Sequence, residues 1–218
     1  MAQQSRSRGQ WLFEQFGRLA MRLTFILVYR IRVRGRANYP RDGGGLICSN
    51  HQSFIDPVLV GLTFDRRMNY IARKTLFRFG IFAKWINFWD AIPIDQKGSG
   101  FGGIKESLRR LRRGELVLIF PEGSRTFDGD VQQMKPGFCA LARRGKVPII
   151  PIGIEGAFDA WPRGQLLPLK AVIHVCIGKP ISVEEMKSLT AEELVGEVHR
   201  RIQSCHAVAR SSQRRADK

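Results

Sequence analysis

Hydrophobic and polar positions follow two patterns along the chain. From residue 30 onward, short apolar runs typical of strands alternate with segments of helical periodicity. The strand-like runs are Arg30–Gly35, Gly45–Asn50, Asn69–Arg73, Ala91–Asp95, Glu115–Phe120, Pro148–Ile154 and Ala171–Gly178. The helix-like runs are Pro57–Thr63, Leu76–Asn87, Gly103–Arg113, Pro136–Arg144 and Ala191–Ala209. This alternation predicts an α/β fold, a single domain whose central mixed, largely parallel sheet is flanked by helices.

The first thirty residues follow the other pattern. Residues 10–29 predict one amphipathic helix, with a polar stripe that includes Glu14 and Arg18. Its apolar face is formed by Leu12, Phe16, Leu19, Leu23 and Ile26. A basic, aromatic-rich helix of this kind is typical of a segment lying in a membrane interface, and it also fits a helix packed on its own core. The apolar run Leu23–Tyr29 is far shorter than the ~20 residues of a spanning helix.

These patterns divide the chain into three parts. Residues 1–30 are expected to be an amphipathic membrane-association segment, residues 31–209 the main domain and residues 210–218 a frayed, basic polar tail. No signal peptide is recognisable. Any membrane contact is therefore predicted to be peripheral or monotopic.

Charge adds a polyanionic partner to this description. The net charge is +17, and much of it lies at the ends: residues 1–40 contain eight arginines and a single acid. An anionic membrane, a phosphorylated substrate and a nucleic acid all fit such a charge. We find no nucleic-acid-reading motif, so the first two are favoured. The four cysteines form no CxxC pair, which fits buried thiols in a reducing, cytoplasmic setting.

The first candidate motif is NHQSFID at residues 50–56. It follows an apolar strand, and Asp56 can cap a helix that starts at Pro57. His51 then lies in a strand-to-helix loop, where the sites of open α/β sheets are found. A histidine beside a carboxylate can act as a general base. The spacing alone also fits a loop histidine and a simple helix cap.

The second candidate motif is FPEGSR at residues 120–125. Gly123 permits a tight turn and a close backbone approach to a ligand. Glu122 can accept a hydrogen bond from a polyol, and Arg125 can bind a phosphate through two parallel hydrogen bonds. In isolation this stretch also fits a polar turn with a surface Glu–Arg pair.

Together the two motifs resemble those of the PlsC-like 1-acylglycerol-3-phosphate acyltransferase family, which carries NHx4D and FPEGTR-like blocks. KPG at residues 135–137 and VPIIPI at residues 147–152 also look like the family. The resemblance covers roughly residues 35–180. It implies transfer of a fatty acyl group from acyl-CoA or acyl carrier protein to the hydroxyl of a lysophospholipid, without a metal ion or other cofactor.

The resemblance also implies roles for individual residues. His51 is expected to be the general base, Asp56 its orienting carboxylate and Pro151 part of the wall that contacts the acyl chain. The acceptor is expected to bind to Glu122, Gly123, Ser124 and Arg125. The implied location is the cytoplasmic face of a membrane, and the implied product from 1-acylglycerol-3-phosphate is phosphatidic acid.

One position departs from the family pattern. Gln96 stands where the family usually has an arginine that helps to bind phosphate. Lys97, Lys74 and Arg73 are candidate replacements, although lysine is a point charge rather than a planar fork. An acceptor other than 1-acylglycerol-3-phosphate therefore stays open.

Other interpretations leave the two motifs unexplained. GSGFGG at residues 98–103 matches a dinucleotide-binding pattern, but the strand before it is short and contains Pro93. His174 fits a strand interior and Cys139 fits helix packing. His199 and His206 have no metal-ligand company. Neither a nucleic-acid-binding protein nor a membrane scaffold with a degenerate enzyme fold would explain the presence of His51 and Arg125 in these motifs.

Overall fold

The computed structural model describes residues 8–66, 68–78, 80, 86, 91–94 and 101–216. In this part of the chain, seven strands form one sheet in the order β1-β7-β6-β2-β5-β3-β4. The strands are β1 Arg30–Arg34, β2 Gly45–Ser49, β3 Met68–Arg73, β4 Ala91–Ile94, β5 Leu116–Ile119, β6 Ile149–Glu155 and β7 Val172–Ile177. All seven predicted strands are confirmed, with ends that differ by at most one residue.

Helices cover this sheet, and most of them were predicted. They are α1 Arg8–Val28, α2 Asp56–Thr63, α3 Phe101–Arg112, α4 Gly137–Gly145, α5 Ala157–Ala160, α6 Val183–Lys187 and α7 Ala191–Ala216. Short 3-10 helices span Arg36–Asn38 and Lys74–Arg78. The predicted helix over residues 76–87 lies largely outside the described residues. The sequence did not predict α5 and α6, because they are too short to show a helical period.

The predicted polar tail is corrected by α7, which continues to Ala216 instead of ending at residue 209. Ala209 and Ser212 are buried, and Arg210 forms ion pairs with Glu155 and Asp130 at 3.0 and 2.7 Å. The helix therefore continues past residue 209 because Arg210 and Ser212 contact the domain, although the sequence there is polar.

The core lies on both faces of the sheet, because side chains alternate along each strand. On one face, Ile47 and Leu118 pack with Tyr29 at the end of α1 and with the apolar side of α2. On the other face, Leu46 and Val117 pack with residues of α3, α4, α6 and α7. Burial on both faces explains why β2 and β5 are continuous apolar runs.

The one antiparallel strand pair of the described sheet, β6 with β7, determines which segments lie at each edge of the sheet. β2, β5 and β6 are parallel, so their carboxyl ends lie at one edge, which we call the carboxyl edge. β7 is antiparallel to β6, and β1 is parallel to β7. The amino ends of β1 and β7 therefore lie at the carboxyl edge too, together with the end of α1 and the loop before β7. Among the described residues, no helix is long and apolar enough to span a membrane.

Candidate active site

The loop between β2 and α2 holds a histidine–carboxylate pair. His51 Nδ1 and Asp56 Oδ2 are 2.8 Å apart, and the Asp56 side chain is completely buried. The same oxygen accepts hydrogen bonds from the backbone N–H groups of Gln52 and Ser53 at 2.6 and 2.7 Å. Three donors thus hold this carboxylate in place. The predicted helix cap is corrected: Asp56 is the first residue of α2, and its side chain turns back to the preceding loop instead of capping the helix.

The hydrogen bond to Asp56 decides which nitrogen of His51 is available for chemistry. Because Nδ1 faces the carboxylate, it carries the proton, and Nε2 is left with a lone pair. The ring stacks on Phe120 with centroids 3.9 Å apart and an interplanar angle of 15°. The His51 side chain is 19% exposed. It is therefore an oriented base that a substrate can reach.

Strand register brings the second motif beside the first. Cys48 of β2 pairs with Ile119 of β5, so His51 and Glu122, each three residues further on, leave the sheet side by side. The backbone N–H of His51 donates to Glu122 Oε1 at 3.2 Å, and the N–H of Thr126 donates to the His51 carbonyl at 2.8 Å. The two predicted motifs therefore form one site.

Asn50 links the loop that carries His51 to the neighbouring strand β6. Its side-chain amide donates to the Ile154 carbonyl at 2.9 Å and accepts from the Ile154 N–H at 2.7 Å. These bonds extend the pairing of β2 with β6 one residue beyond Ser49, the last residue of β2. The position of the His51 loop is thereby tied to β6 as well as to β5.

Glu122 is a buried carboxyl group whose environment disfavours its charge. Burial raises the pKa of Glu122 to about 8, the hydrogen bonds from the backbone of His51 and Gln132 lower it, and the charge of Asp56 raises it. Glu122 Oε2 is buried and has no hydrogen-bond partner among the described residues. This oxygen is therefore available to a polar group of a ligand.

The guanidinium of Arg125 lies over an aromatic ring, and one of its nitrogen atoms makes no hydrogen bond to the described residues. Its Cζ lies 3.4 Å from the centroid of the Phe54 ring. Nη1 is buried without a hydrogen-bond partner in the described part of the chain. Burial lowers the pKa of Arg125, as does the positive charge of Arg163 and Arg73. An anionic ligand would relieve this local excess of positive charge.

Three further cations surround this turn, and two of them were not expected as site residues. Arg73, weighed from the sequence as a replacement cation, donates through Nη2 to the Gly123 carbonyl at 2.9 Å. Lys135 lies against Gly123, where a Cβ atom would be 3.1 Å from Nζ. Arg163 donates through Nη1 to the Arg125 carbonyl at 3.4 Å. Lys135 was visible within the KPG block, whereas Arg163 lies in a loop without a motif.

Gly123 has a conformational role as well. Its φ of 75° lies in the left-handed region, which favours glycine. This conformation lets the chain turn sharply after β5, and the missing side chain leaves room for Lys135. Ser124 is the next residue of the turn and is exposed.

The structure does not bring every predicted residue to this site. Lys74 is exposed in the 3-10 helix that follows Arg73, and Lys97 lies outside the described residues, as does Gln96. Pro151 is buried in the middle of β6 beside Cys48 and packs close to Gly178. The role of Pro151 as an acyl wall stays a prediction.

A second polar cluster, which the sequence did not indicate, connects the His51 loop to α7. Gln52 Nε2 donates to the Gly129 carbonyl at 2.6 Å and to Glu155 Oε2 at 3.2 Å. Its Oε1 accepts from the N–H of Ala157 at 3.2 Å. His206 Nε2 lies 2.5 Å from Glu155 Oε2, which makes α7 part of the support.

The remaining candidates from the sequence lie apart from this site. Residues 98–100 of the glycine-rich stretch are outside the described chain, while Gly102 and Gly103 belong to α3. Cys139 is a buried residue of α4, and His174 is a buried residue of β7. In the described part of the chain, no group of three or more His, Cys, Asp or Glu residues is placed to hold a metal ion.

Comparison with known proteins agrees with this geometry. Residues 30–155 match the family model described as Acyltransferase. A 1-acyl-sn-glycerol-3-phosphate acyltransferase of Bacillus subtilis is 30% identical over 178 residues, which cover 80% of this chain and 85% of the relative. A chloroplastic enzyme of the same name from Arabidopsis thaliana is 29% identical over 70% of this chain, but over 44% of its own length.

A solved structure shares the fold. The crystal structure of the 1-acyl-sn-glycerophosphate acyltransferase PlsC from Thermotoga maritima superposes with a TM-score of 0.72 at 25% sequence identity. The match covers 88% of this chain and 75% of the Thermotoga chain. The mixed, mostly parallel sheet predicted from the sequence is therefore that of a known enzyme fold.

Proposed function

The chain belongs to the acyltransferase family and is an O-acyltransferase, and on this premise we propose that it acylates the free hydroxyl of 1-acylglycerol-3-phosphate to give phosphatidic acid. The proposal depends on two groups that lie together at the carboxyl edge. An oriented histidine base, His51, lies directly beside a turn in which Glu122 and Arg125 present buried, unpartnered polar atoms. A hydroxyl and a phosphate monoester on one molecule match these groups.

The proposed reaction is a direct transfer. The acceptor hydroxyl oxygen attacks the carbonyl carbon of a thioester while His51 Nε2 takes the hydroxyl proton. Asp56 stabilises the imidazolium that forms and keeps the ring oriented. When the tetrahedral intermediate collapses, the carbon–sulfur bond breaks and the imidazolium protonates the leaving thiolate. The products are an ester and a thiol, and His51 returns to its neutral form.

The turn after β5 is proposed to bind the acceptor. Arg125 would bind the phosphate through charge-assisted hydrogen bonds. Glu122, whose raised pKa of about 8 keeps it protonated at neutral pH, would donate from its unpartnered Oε2 to a phosphate or ester oxygen of the acceptor. Arg73 and Lys135 lie close enough to the turn to add positive charge that Gln96 does not supply. This local charge supports a phosphate monoester, which is a dianion, over lysolipids with a neutral or singly charged headgroup.

The acceptor and the donor can be tested in one experiment. Purified protein is incubated with a panel of lysolipids and with either acyl-CoA or acyl carrier protein as donor, and products are identified by mass spectrometry. We expect phosphatidic acid from 1-acylglycerol-3-phosphate as the main product. Faster acylation of another lysolipid would contradict the proposed acceptor, and use of one donor alone would identify it.

We also propose that α1 holds the enzyme on the cytoplasmic face of an anionic membrane. Exposed apolar side chains lie along this helix at Phe16, Leu19, Leu23, Ile26 and Leu27. In contrast, Phe25 and Tyr29 pack into the core, with ring centroids 5.4 Å apart. Deleting the whole segment would therefore damage the domain, and substitutions confined to the exposed face make the better test.

The variant Leu19→Ser/Leu23→Ser/Leu27→Ser removes exposed apolar area from α1 only. We expect it to bind anionic vesicles more weakly than the wild type, while it keeps activity on a short-chain acceptor in solution. High salt should weaken the wild-type binding in part, because salt screens charge but not apolar burial. Unchanged co-sedimentation of the triple variant would exclude α1 as the anchor.

A further inference from the structure

The loop before β7 carries a second exposed apolar group that the motifs do not use. Within residues 161–171, Leu166, Leu167 and Leu169 are 91%, 74% and 57% exposed. Single exposed leucines are ordinary, but three of them within four residues form a contiguous apolar tip. Such a tip indicates a partner with an apolar surface.

Hydrogen bonds to backbone carbonyls of the loop and of its base hold the tip in a defined shape. The loop closes at its base, where the N–H of Leu169 donates to the Ala160 carbonyl at 2.7 Å. Trp161 Nε1 donates to the Gln165 carbonyl at 2.8 Å, and Gln165 Nε2 donates to the Leu167 carbonyl at 2.6 Å. The leucines are therefore presented to the outside by a closed loop, so that ordering them on binding costs little entropy.

The base of this loop contacts the catalytic loop and the acceptor-binding turn. Ser53 Oγ donates to the Trp161 carbonyl at 2.8 Å, and the rings of Phe54 and Trp161 have centroids 5.7 Å apart. Arg163 contacts the Arg125 carbonyl and lies over the exposed ring of Phe127, 4.3 Å from its centroid. The apolar tip thus stands at the rim of the active site.

Sheet topology places the same tip next to α1. Arg30 of β1 pairs with Val172 of β7, so the last residues of α1 lie beside the last residues of the loop. The end of α1 and the end of this loop therefore lie together at the carboxyl edge. The exposed Leu27, next to the last residue of α1, is thus near the edge of the sheet that carries His51.

The charges around the tip indicate what covers it. Arg163, Lys170 and Arg30 are exposed and flank the leucines along the loop and the adjoining strand. Apolar side chains framed by basic ones are complementary to a bilayer with anionic headgroups, in which the leucines reach the acyl region and the cations remain among the phosphates.

We propose that Leu166, Leu167 and Leu169 insert into an anionic lipid leaflet as a second anchor beside α1, so that the active-site opening faces the bilayer. This orientation of the enzyme rests on the proposed function, because it concerns how a lipid acceptor reaches the site. A lipid acceptor and a lipid-soluble acyl chain could then pass between membrane and site without crossing water.

The test uses an environment-sensitive fluorophore at the tip. The four native cysteines are buried, so a cysteine introduced at the surface of the folded protein can be labelled selectively with a nitrobenzoxadiazole group. The variants are Leu167→Cys at the tip and Ser188→Cys as the control. Ser188 is exposed and lies after α6, at the sheet edge opposite the carboxyl edge.

We expect the label at residue 167 to shift to shorter wavelength and gain intensity when phosphatidylglycerol-containing vesicles are added, and the label at residue 188 to stay unchanged. If both labels respond alike, or if neither responds while the protein co-sediments with the vesicles, the proposal is wrong. A shift that depends on protein concentration without vesicles would identify a second copy of this chain as the occupant and would equally overturn it.

A second measurement separates this proposal from the proposed function. The variant Leu166→Ser/Leu167→Ser should bind vesicles at least about ten-fold more weakly, the factor expected when the burial of one leucine is lost. Its activity on a short-chain soluble acceptor should match that of the wild type. Wild-type vesicle affinity would contradict the insertion, whereas absence of soluble acyl transfer in the wild-type protein would contradict the function and leave the binding result intact.

Discussion

Two glutamates flank the loop that carries His51, and they differ in how completely they are paired. Glu155, at the end of β6, pairs with His206 at 2.5 Å and with Arg210 at 3.0 Å. Burial raises the pKa of Glu155, but the hydrogen bonds from His206 and Arg210 outweigh this and hold the pKa below its usual value. Glu122, after β5, has one oxygen without a partner in the described chain, and its pKa is raised to about 8.

We interpret Glu155 as a carboxylate that stabilises the fold and Glu122 as a carboxyl group that is available to a ligand. Both contact the same loop, because Glu122 accepts from the His51 N–H and Glu155 accepts from Gln52 Nε2. A paired carboxylate contributes to stability, whereas a buried polar atom without a partner lowers it. The following experiments test this division of roles.

The largest effect is expected at His51, the residue between the two glutamates. His51→Ala should lower kcat by about 10²–10⁴-fold, the usual loss when a general base is removed. Thermal unfolding should change little, because the ring is partly exposed and Glu122 bonds the backbone of residue 51, which alanine retains. Acyl transfer with a thioester donor measures the first quantity and calorimetry the second. Wild-type turnover in this variant would exclude the proposed mechanism.

Glu155→Gln should mainly affect stability. It weakens charge-assisted hydrogen bonds to His206 and Arg210, each of the kind that contributes about 1.5–3 kcal/mol, and partial exposure places the expected loss at the lower end. The midpoint of urea unfolding at pH 7 provides the measurement. Glu122→Gln is the matched control, with no comparable loss. The comparison fails if the two variants are destabilised equally.

Arg125→Ala should act on substrate binding. Losing a charge-assisted hydrogen bond to the acceptor phosphate predicts a rise of about ten- to a hundred-fold in the acceptor KM, with little change in the donor KM. Arg163→Ala serves as the control and should have a smaller effect, because its guanidinium contacts the Arg125 carbonyl and the Phe127 ring. A change confined to the donor KM would assign Arg125 to the other substrate.

The pH dependence of stability should have opposite signs for the two glutamates. The folded-state pKa of Glu122 lies above its ordinary value of 4.5, so the folded protein retains a proton that the unfolded chain loses between pH 4.5 and about 8. The stability contribution is therefore fully present below pH 4.5 and is lost as the pH rises to about 8, with a slope of at most about 1.4 kcal/mol per pH unit. Glu155, whose pKa is lowered, contributes stability that is lost as the pH falls.

Urea unfolding at pH 5 and pH 8 tests these signs. Glu122→Gln should remove part of the wild-type decline between the two pH values, because glutamine does not titrate. Glu155→Gln should leave that decline in place. A decline that is the same in all three proteins would show that Glu122 does not titrate in this window.

Much of this protein is determined by local sequence. Runs such as Leu116–Ile119 predict strands that are buried on both faces, and the turns after them are marked by Gly123 and by the NHQSFID loop. The His51–Asp56 pair needs only five residues of chain, so its geometry follows from the loop itself. The amphipathic character of α1 is likewise a property of residues that are close in sequence.

Tertiary structure decided the rest, because it concerns groups that are far apart along the chain. Strand order brings Glu122 to His51 across 71 residues and Arg163 to Arg125 across 38. The ion pair of Arg210 with Glu155 helps α7 to continue past residue 209, where composition predicts a frayed tail. The antiparallel β7 places the leucine tip and the end of α1 at the same edge as the site. Local patterns report which side chains are buried and where the chain turns, whereas the partner that each strand meets depends on the free energy of the whole packed sheet.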